Sequence, residues 1–261
     1  MGQLEHVMLS PAVRRYDRPL LVLHGAWHGA WCWHAAMRDF AERGFEVHAI
    51  SLRGHGGSSR VRGFNFCSLA DYVRDLHTAV AVIQPTPIVV GHSMGGYLVQ
   101  LLLMQAQLPG AVLLASIPTS GALRFLLHWM RKHPLACGAA VLSMNGKRTV
   151  GTPRLVREAF LRADATNETV QQVFAHIGPE SLRIALWDGV VVRVQPQLNR
   201  SPILVIAAER DAVFTLDEQR RTAADYHAEL LIIPAAAHDL MLDPAWPQAA
   251  AAIERFAAAR G

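Results

Sequence analysis

From residue 20 onward, short apolar runs alternate with longer amphipathic stretches. The apolar runs are typical of buried strands and lie at residues 20–23, 45–52, 88–90, 111–117, 203–207 and 229–233. The stretches between them have helical spacing and cover residues 31–43, 68–83, 94–107, 216–226 and the region from about residue 245. Ser68 is the expected N-cap of the second helix, with Asp71 in the capping-box position. This alternation predicts an α/β fold with a mostly parallel central sheet and helices on both faces.

The alternation stops between Pro118 and Arg200. Thr152 and Pro153 look like an N-cap followed by a first-turn proline. Three groups of apolar residues in this segment repeat at helical intervals: Leu123, Leu126, Leu127 and Met130; Leu155, Val156, Ala159 and Phe160; and Val170, Val173, Phe174 and Ile177. We therefore expect a core formed by residues 1–117 and 201–261, and a helical lid inserted at residues 118–200.

Composition excludes several functions. The 261 residues are 51% hydrophobic and 18% charged, as expected for one large globular domain. The net charge is +4, but the basic residues are scattered, so no nucleic-acid surface is predicted, and the tract at residues 131–133 is interpreted as a solvated face. Cys32, Cys67 and Cys137 are odd in number and widely spaced, so neither a disulfide framework nor a paired metal motif is predicted. With no signal-peptide pattern and no uninterrupted membrane-length apolar run, the expected location is the cytoplasm.

A serine stands where a predicted strand meets a predicted helix, in the segment Gly91-His92-Ser93-Met94-Gly95. A sharp turn at this place needs small neighbours, because strand and helix pass close together. It would present Ser93 at the carboxyl end of the sheet, beside the positive end of the helix. The segment resembles the G-x-S-x-G nucleophile elbow of the α/β-hydrolase family.

The family order of nucleophile, acid and histidine implies partners for Ser93 after the two last strands. Asp211 follows the strand at 203–207, and His238 follows the strand at 229–233. These residues form the predicted catalytic triad, in which His238 takes the serine proton and Asp211 orients the imidazole. The competing candidates for the acid are Asp217, Asp239 and Glu209.

Acyl transfer also needs two N–H groups for the oxyanion. The backbone N–H of Met94, directly after the serine, is one candidate. The second is expected in the loop after the first strong strand, from Ala26, with Trp27 as the next choice. His24 and Gly25 would form a tight loop beneath the site.

The resemblance extends from Leu20 to the C-terminus, apart from the lid. The stretch HGAWHGAWCW, from residue 24, is similar to plant-type methyl esterases and hydroxynitrile lyases, whereas RGHG, from residue 53, looks like a loop of many bacterial esterases. Ser51 stands where many of those bacterial relatives carry Asp. Gly25 and Asp239 replace the Thr and Lys that the plant lyases tend to have, which disfavours cyanohydrin cleavage. Ser93 likewise disfavours the haloalkane and epoxide enzymes, which use Asp at the elbow.

No cofactor or metal is predicted. His24, His28 and His34 lie close in sequence, but they lack the carboxylate or cysteine companions of a zinc site. Gly54, Gly56 and Gly57 lack the spacing of a dinucleotide-binding loop.

The first hypothesis is therefore a serine carboxylic-ester hydrolase that forms an acyl-enzyme and acts on a small-molecule ester with a small to medium acyl or aromatic group. The expected pocket walls are Trp27, Leu126, Trp129, Met130, Phe160 and Phe174. The same triad would serve a thioesterase, a lactonase, a C–C bond hydrolase, or a cofactor-free haloperoxidase or perhydrolase. A third hypothesis is a non-catalytic ligand-binding receptor on a hydrolase fold.

Overall fold

The computed structural model describes residues 2–260, which contain a seven-stranded sheet. The strands follow the chain as β1 His6–Leu9, β2 Leu20–Leu23, β3 Val47–Ile50, β4 Ile88–His92, β5 Ala111–Leu114, β6 Ile203–Ala208 and β7 Glu229–Ile233. Their order in the sheet is β1-β3-β2-β4-β5-β6-β7. Strand β1 pairs antiparallel with β3, and the other pairings are parallel. The predicted mostly parallel sheet is confirmed.

The helices are α1 His34–Glu42, α2 Leu69–Val82, α3 Met94–Leu103, α4 Leu123–Lys132, α5 Pro134–Leu142, α6 Pro153–Phe160, α7 Asn167–His176, α8 Gly189–Val191, α9 Leu216–Asp225 and α10 Trp246–Ala258. Among residues 2–260, none of them combines the length and the apolar character needed to cross a membrane.

The central strands are buried on both faces, which is why they read as continuous apolar runs. Successive residues of a strand point to opposite faces, so Leu20 and Val22 join one core cluster while Leu21 and Leu23 join the other. Helices α1 and α10 cover the first cluster, and α2, α3 and α9 cover the second. The sheet is thus covered by helices on both faces, as predicted.

Local capping follows the sequence prediction. The Ser68 hydroxyl accepts a bond from the N–H of Asp71 at 3.2 Å, and the Ser68 N–H donates to the Asp71 carboxylate at 2.8 Å. Thr152 caps α6 in the same way through the N–H of Leu155. These bonds satisfy N–H groups that the first helical turn leaves without partners.

Some element ends differ from the sequence prediction. No sequence pattern predicts strand β1, because it has only four residues that alternate between exposed and half-buried positions at the sheet edge. Strand β5 ends at Leu114, since Ala115 has a positive φ of 43° that an extended strand cannot accommodate. Helix α3 ends at Leu103 rather than near Gln107.

Helices α4 to α8 lie between β5 and β6 in the chain and have a hydrophobic cluster of their own. This cluster includes Trp129, Val156, Phe160 and Val173. The helical spacing predicted at residues 123–130, 155–160 and 170–177 falls on α4, α6 and α7, except that Ile177 lies just beyond the end of α7 with an extended backbone. On α4, however, the buried side chain is Trp129, while the apolar residues at helical spacing are largely exposed.

Candidate active site

Ser93 occupies a sharp bend between β4 and α3. Its φ of 53° and ψ of −117° lie in a region that L-residues rarely adopt. A Cβ added at Gly91 would lie 2.6 Å from the carbonyl oxygen of Gly95, and one at Gly95 would lie 2.5 Å from that of His24. Both positions therefore need glycine, because the strand, the bend and the neighbouring loop touch through their backbones.

Three polar side chains meet at this bend. The Ser93 Oγ is 3.0 Å from His238 Nε2, and His238 Nδ1 is 2.9 Å from Asp211 Oδ2. The side chains of His238 and Asp211 are each only 2% exposed. With the Nδ1 proton directed at the carboxylate, Nε2 is left to accept the serine proton.

The loop after β6 fixes the Asp211 carboxylate. Its Oδ1 accepts the backbone N–H groups of Val213 at 2.7 Å and Phe214 at 3.1 Å, which leaves Oδ2 for His238. The rings of Phe214 and Phe160 lie against the His238 imidazole, at centroid distances of 5.7 and 6.1 Å. The imidazole is thus held by hydrogen bonds on its edge and by aromatic rings beside it.

The other acid candidates have different partners. Asp217 lies in the first turn of α9, where its side chain is 88% exposed and bonded to Arg220. Glu209 accepts the N–H of Ala235 at 2.8 Å. Asp239 pairs with His28 rather than with His238.

The loop after β2 lies directly against the serine. A Cβ added at Gly25 would be 2.8 Å from the Ser93 Cβ. Ala26, Trp27 and Met94 all line the cavity in front of Ser93. Within residues 2–260, no hydrogen bond found in the structure uses the N–H of Ala26 or of Met94, so both predicted donors are open to a ligand.

His24 positions the first peptide of this loop. Its Nε2 accepts the N–H of Leu52 at 3.0 Å, so the ring proton is on Nδ1, which donates to the Gly25 carbonyl at 2.7 Å. Burial holds the pKa of His24 well below its usual range, so the ring is neutral. Because a trans peptide points its C=O and N–H in opposite directions, fixing the Gly25 carbonyl also fixes the direction of the Ala26 N–H.

His28 positions the next peptide of the loop and, unlike the neutral His24, it is positively charged. Its Nδ1 donates to the Ala26 carbonyl at 2.7 Å and its Nε2 donates to Asp239 Oδ2 at 3.0 Å. Burial opposes a charge on His28, but the Asp239 carboxylate and the bond to the Ala26 carbonyl together outweigh it and raise the pKa of His28. The pKa of Asp239 is lowered against the effect of burial, chiefly by His28. The result is a buried ion pair behind the loop.

His92 is a further buried histidine next to the serine. Burial, together with the neighbouring His238, lowers its pKa to about 3, so it is neutral at ordinary pH. Its Nε2 donates to the His238 carbonyl at 3.0 Å.

Metal-binding groups are few in the part of the chain that the structure describes. His92, His238 and Asp239 form one cluster whose ligand atoms lie within 4.8 Å of one another, and His24, His28 and His34 form none. His238 is bonded to Ser93 and Asp211, Asp239 to His28, and His92 to the His238 carbonyl, so all three potential ligands already have protein partners.

A cavity of about 480 Å³ opens in front of Ser93. Five of the six predicted wall residues line it, namely Trp27, Leu126, Trp129, Met130 and Phe160. Phe174 does not. It packs against the cluster within the insertion, and the Lys147 Nζ lies 5.7 Å from the centre of its ring.

Several wall residues were missed by the sequence analysis. Phe125 comes from α4, and Phe214 follows the predicted acid by three residues. Phe214 could have been found from its position in the same strand-end loop as Asp211. Phe125 could not, because the side of α4 that faces the cavity depends on how the insertion packs on the core.

Glu180 is also a missed wall residue, and it is fully buried. It accepts bonds from the Tyr72 hydroxyl at 3.0 Å and from the Ser181 N–H at 2.7 Å, and His55 Nε2 lies 3.1 Å away. Burial and the Glu180 carboxylate raise the pKa of Tyr72 far above its usual range, so its hydroxyl stays protonated and can donate. These bonds connect the insertion to α2 and to the loop after β3. No sequence motif marks Glu180.

The sequence of this chain matches a family model and, over part of its length, a plant protein. A family model described as the alpha/beta hydrolase family matches residues 20–250. A candidate methylesterase of the chloroplast, number 15 of Arabidopsis thaliana, is 40% identical over 78 residues, which are 29% of this chain and 17% of that protein. The chain thus spans less than a fifth of the length of that relative.

Two solved structures share the fold. A thermophilic esterase from Thermogutta terrifontis has a TM-score of 0.74 at 18% identity and covers 99% of this chain and 94% of its own. A carboxylesterase structure from Nitrososphaera gargenis has a TM-score of 0.77 at 18% identity, with 99% and 95% covered.

Proposed function

Because this chain belongs to the alpha/beta hydrolase family, we propose that it is a serine hydrolase that cleaves carboxylic esters through an acyl-enzyme. The observation that carries the proposal is the continuous hydrogen-bonded series from Ser93 Oγ through His238 to Asp211, at 3.0 and 2.9 Å. Esterases among its relatives and structural neighbours support the same reaction type.

In the proposed mechanism, Ser93 Oγ attacks the ester carbonyl while His238 Nε2 takes its proton. Asp211 keeps the imidazole in the required tautomer and stabilises the imidazolium that forms. The N–H groups of Ala26 and Met94 would stabilise the negative oxygen of the tetrahedral intermediate. His238 then returns the proton to the leaving alcohol, and a water molecule deprotonated by the same imidazole releases the acid.

The wall of the cavity supports an uncharged, largely apolar acyl or aromatic group as the substrate part. Its aromatic residues include Trp27, Phe125, Trp129, Phe160 and Phe214. None of the described residues in the lining is Lys or Arg, and the charged His28 already donates both ring N–H groups to Ala26 and Asp239, so a substrate carboxylate or phosphate would have no free cationic partner there. We propose that the insertion at residues 118–200 acts as the lid that supplies most of this wall.

The test is hydrolysis of p-nitrophenyl esters of increasing acyl length by Ser93→Ala and Asp211→Asn. We expect Ser93→Ala to lose at least about 10⁴-fold in kcat, and Asp211→Asn to lose about 10⁴-fold because the histidine tautomer is no longer fixed. Asp217→Asn is the matched control, since its side chain is exposed and bonded only to Arg220. Activity retained in Ser93→Ala would refute the proposal.

A further inference from the structure

Helix α5 is apolar around its whole circumference, yet it lies at the surface. Its sequence, PLACGAAVL, has no charged or polar side chain apart from the Cys137 thiol. Leu135 is 88% exposed and Leu142 is 89% exposed, and a Cβ added at Gly138 would contact nothing within 4 Å. A helix that is hydrophobic on every side is expected to be buried or in contact with lipid.

The exposed apolar residues are concentrated at this place. Of the fourteen large hydrophobic side chains that are exposed among the described residues, seven lie between residues 123 and 144. On α4 they include Leu127, which is 53% exposed, and after α5 they include Met144, which is 52% exposed. We call the outer surface of residues 123–148 the α4–α5 face. Half of the exposed large apolar side chains thus lie in one short segment. Apolar side chains scattered over a surface are normal, but a concentrated patch marks an interaction site.

The same segment is strongly basic. Between residues 123 and 150 there are five basic residues and no Asp or Glu: Arg124, Arg131, Lys132, Lys147 and Arg148. Arg124 and Lys132 pair with Glu218 and Glu158, which lie outside the segment. Within residues 2–260, no ion pair involves Arg131, Lys147 or Arg148. The Lys147 Nζ lies over the Phe174 ring, so at least the two exposed charges of Arg131 and Arg148 are available to a partner.

Charge and hydrophobicity together decide which partner fits the α4–α5 face. A second copy of this chain, docked through the same face, would bring two basic segments without carboxylates together, and like charges oppose such contact. An anionic lipid surface complements both properties, because apolar side chains can enter the acyl boundary while basic residues meet the headgroups.

The cavity lies directly behind this surface. Gly138, Val141 and Leu142 of α5 line the cavity in front of Ser93, and Met130 of α4 both lines it and is 43% exposed. We propose that the α4–α5 face docks on anionic lipid surfaces, so that the site receives apolar esters from the lipid phase. This substrate source rests on the proposed ester hydrolysis, whereas the docking itself does not.

The experiment is co-sedimentation of the full chain, carrying Ser93→Ala to prevent turnover, with vesicles of phosphatidylglycerol and phosphatidylcholine or of phosphatidylcholine alone. We expect binding to the anionic vesicles, much weaker binding to the neutral ones, and weakening by 0.5 M NaCl. Because each basic residue near an anionic surface contributes about 1 kcal/mol, Arg131→Gln with Arg148→Gln should lower the partition coefficient by about 30-fold. Leu135→Asp should also lower it.

Matched controls are Arg38→Gln with Arg255→Gln, on α1 and α10, and Val82→Asp, at a position that is 66% exposed on α2. These should bind like the parent protein. Circular dichroism and thermal unfolding would establish that each variant is folded. When the same substitutions are made in the protein that keeps Ser93, the α4–α5 variants should hydrolyse a short soluble ester at the parent rate. The reason is that Leu135, Arg131 and Arg148 do not line the cavity.

Equal binding to neutral and anionic vesicles, no binding to either, or equal binding by parent and variants would overturn the inference. So would a dimer in sedimentation velocity that Leu135→Asp dissociates, because the face would then belong to a second copy. Hydrolysis of soluble esters without binding to vesicles would contradict only the docking. Binding to vesicles without hydrolysis of any ester would contradict only the proposed function.

Discussion

Ser93 has a backbone conformation that its own side chain disfavours, and the surrounding backbone holds it there. The positive φ of 53° costs on the order of 1–3 kcal/mol, which the packing of β4 and α3 must offset. The close contacts at Gly91 and Gly95 make that packing possible. The proposed nucleophile therefore lines the cavity from a bend that close backbone packing holds in place.

The first prediction concerns Gly95. In Gly95→Ala the new Cβ would meet the carbonyl oxygens of His24 and Leu23 at 2.5 and 2.7 Å, and neither backbone atom can move without shifting the β2 loop. We expect a loss of about 1–3 kcal/mol in the free energy of unfolding, measured in urea, and a drop in esterase activity.

Gly138→Ala is the control for this prediction. It also lies in a helix, but a Cβ there meets nothing within 4 Å. We expect it to raise the free energy of unfolding by up to about 1 kcal/mol through helix propensity. Equal effects of the two alanines would contradict the packing argument.

The buried histidines show what sequence could and could not predict at this scale. The resemblance to the hydrolase family, in which nucleophile, acid and histidine follow one another in that order at strand ends, predicts Ser93, Asp211 and His238 as a group. The pairing of His28 with Asp239 does not, because the two residues are 211 positions apart and neither is part of a motif that requires the other. Only the packing of the last loop against the first loop brings them together.

At the scale of elements, the insertion is attached to the core by a few buried polar bonds. The Glu180 carboxylate accepts a hydrogen bond from the Tyr72 hydroxyl of α2, and the Trp27 indole N–H donates one to the Gly146 carbonyl at 3.0 Å. The N–H of Gly178 donates to the Trp27 carbonyl at 2.7 Å. Trp27 therefore connects the loop that carries the proposed oxyanion donor to two points of the insertion.

The second prediction tests this attachment with Tyr72→Phe. Loss of the hydroxyl leaves a buried carboxylate oxygen with one donor fewer, so we expect a decrease of about 1.5–3 kcal/mol in the free energy of unfolding. Limited proteolysis should also cut faster within residues 118–200. Tyr226→Phe is the control, because its hydroxyl meets a neutral amide oxygen of Gln100 at 3.3 Å. If both variants lose equally, Glu180 has no special part in holding the insertion.

The elements themselves were predictable to different degrees. The buried strands and capped helices of the core carry strong local signals, such as Ser68 with Asp71. Strand β1 has only the short pattern HVML and forms because β3 offers it an edge. On α4, the apolar side chains cover one wide arc with Trp129 and Leu127 toward its two ends, so the sequence cannot decide which end faces inward. Contact with the rest of the insertion decides it, and Trp129 is the buried one.

At the scale of the whole molecule, buried neutral histidines should make the protein sensitive to acid. His92 has a pKa of about 3 in the folded state, because burial disfavours its charge, and about 6.5 when unfolded. As pH falls below 6.5 the unfolded chain binds a proton that the folded chain does not, so the folded state loses stability down to about pH 3. His24 acts in the same direction.

The third prediction is a fall in the free energy of unfolding between pH 6.5 and pH 4, of which the part due to His92 is measured against His92→Gln, because the carboxylates that also titrate toward pH 4 are common to both proteins. His92 alone accounts for roughly 3 kcal/mol over this range, at about 1.4 kcal/mol for each pH unit. Urea titrations of the parent protein and of His92→Gln would measure it. We expect the variant to be less stable at pH 7 but to have a shallower pH dependence; an unchanged slope would show that His92 is not the group responsible.

The partners of the proposed nucleophile are far from it along the chain. Ser93 and His238 are 145 positions apart, and the histidine follows the last strand of the sheet. During translation, a growing polypeptide would hold its serine long before the imidazole that must activate it is synthesised. Incomplete products of the ribosome should therefore be inert toward cellular esters, and chemical competence would begin only with the arrival of the final sheet strand and its loop.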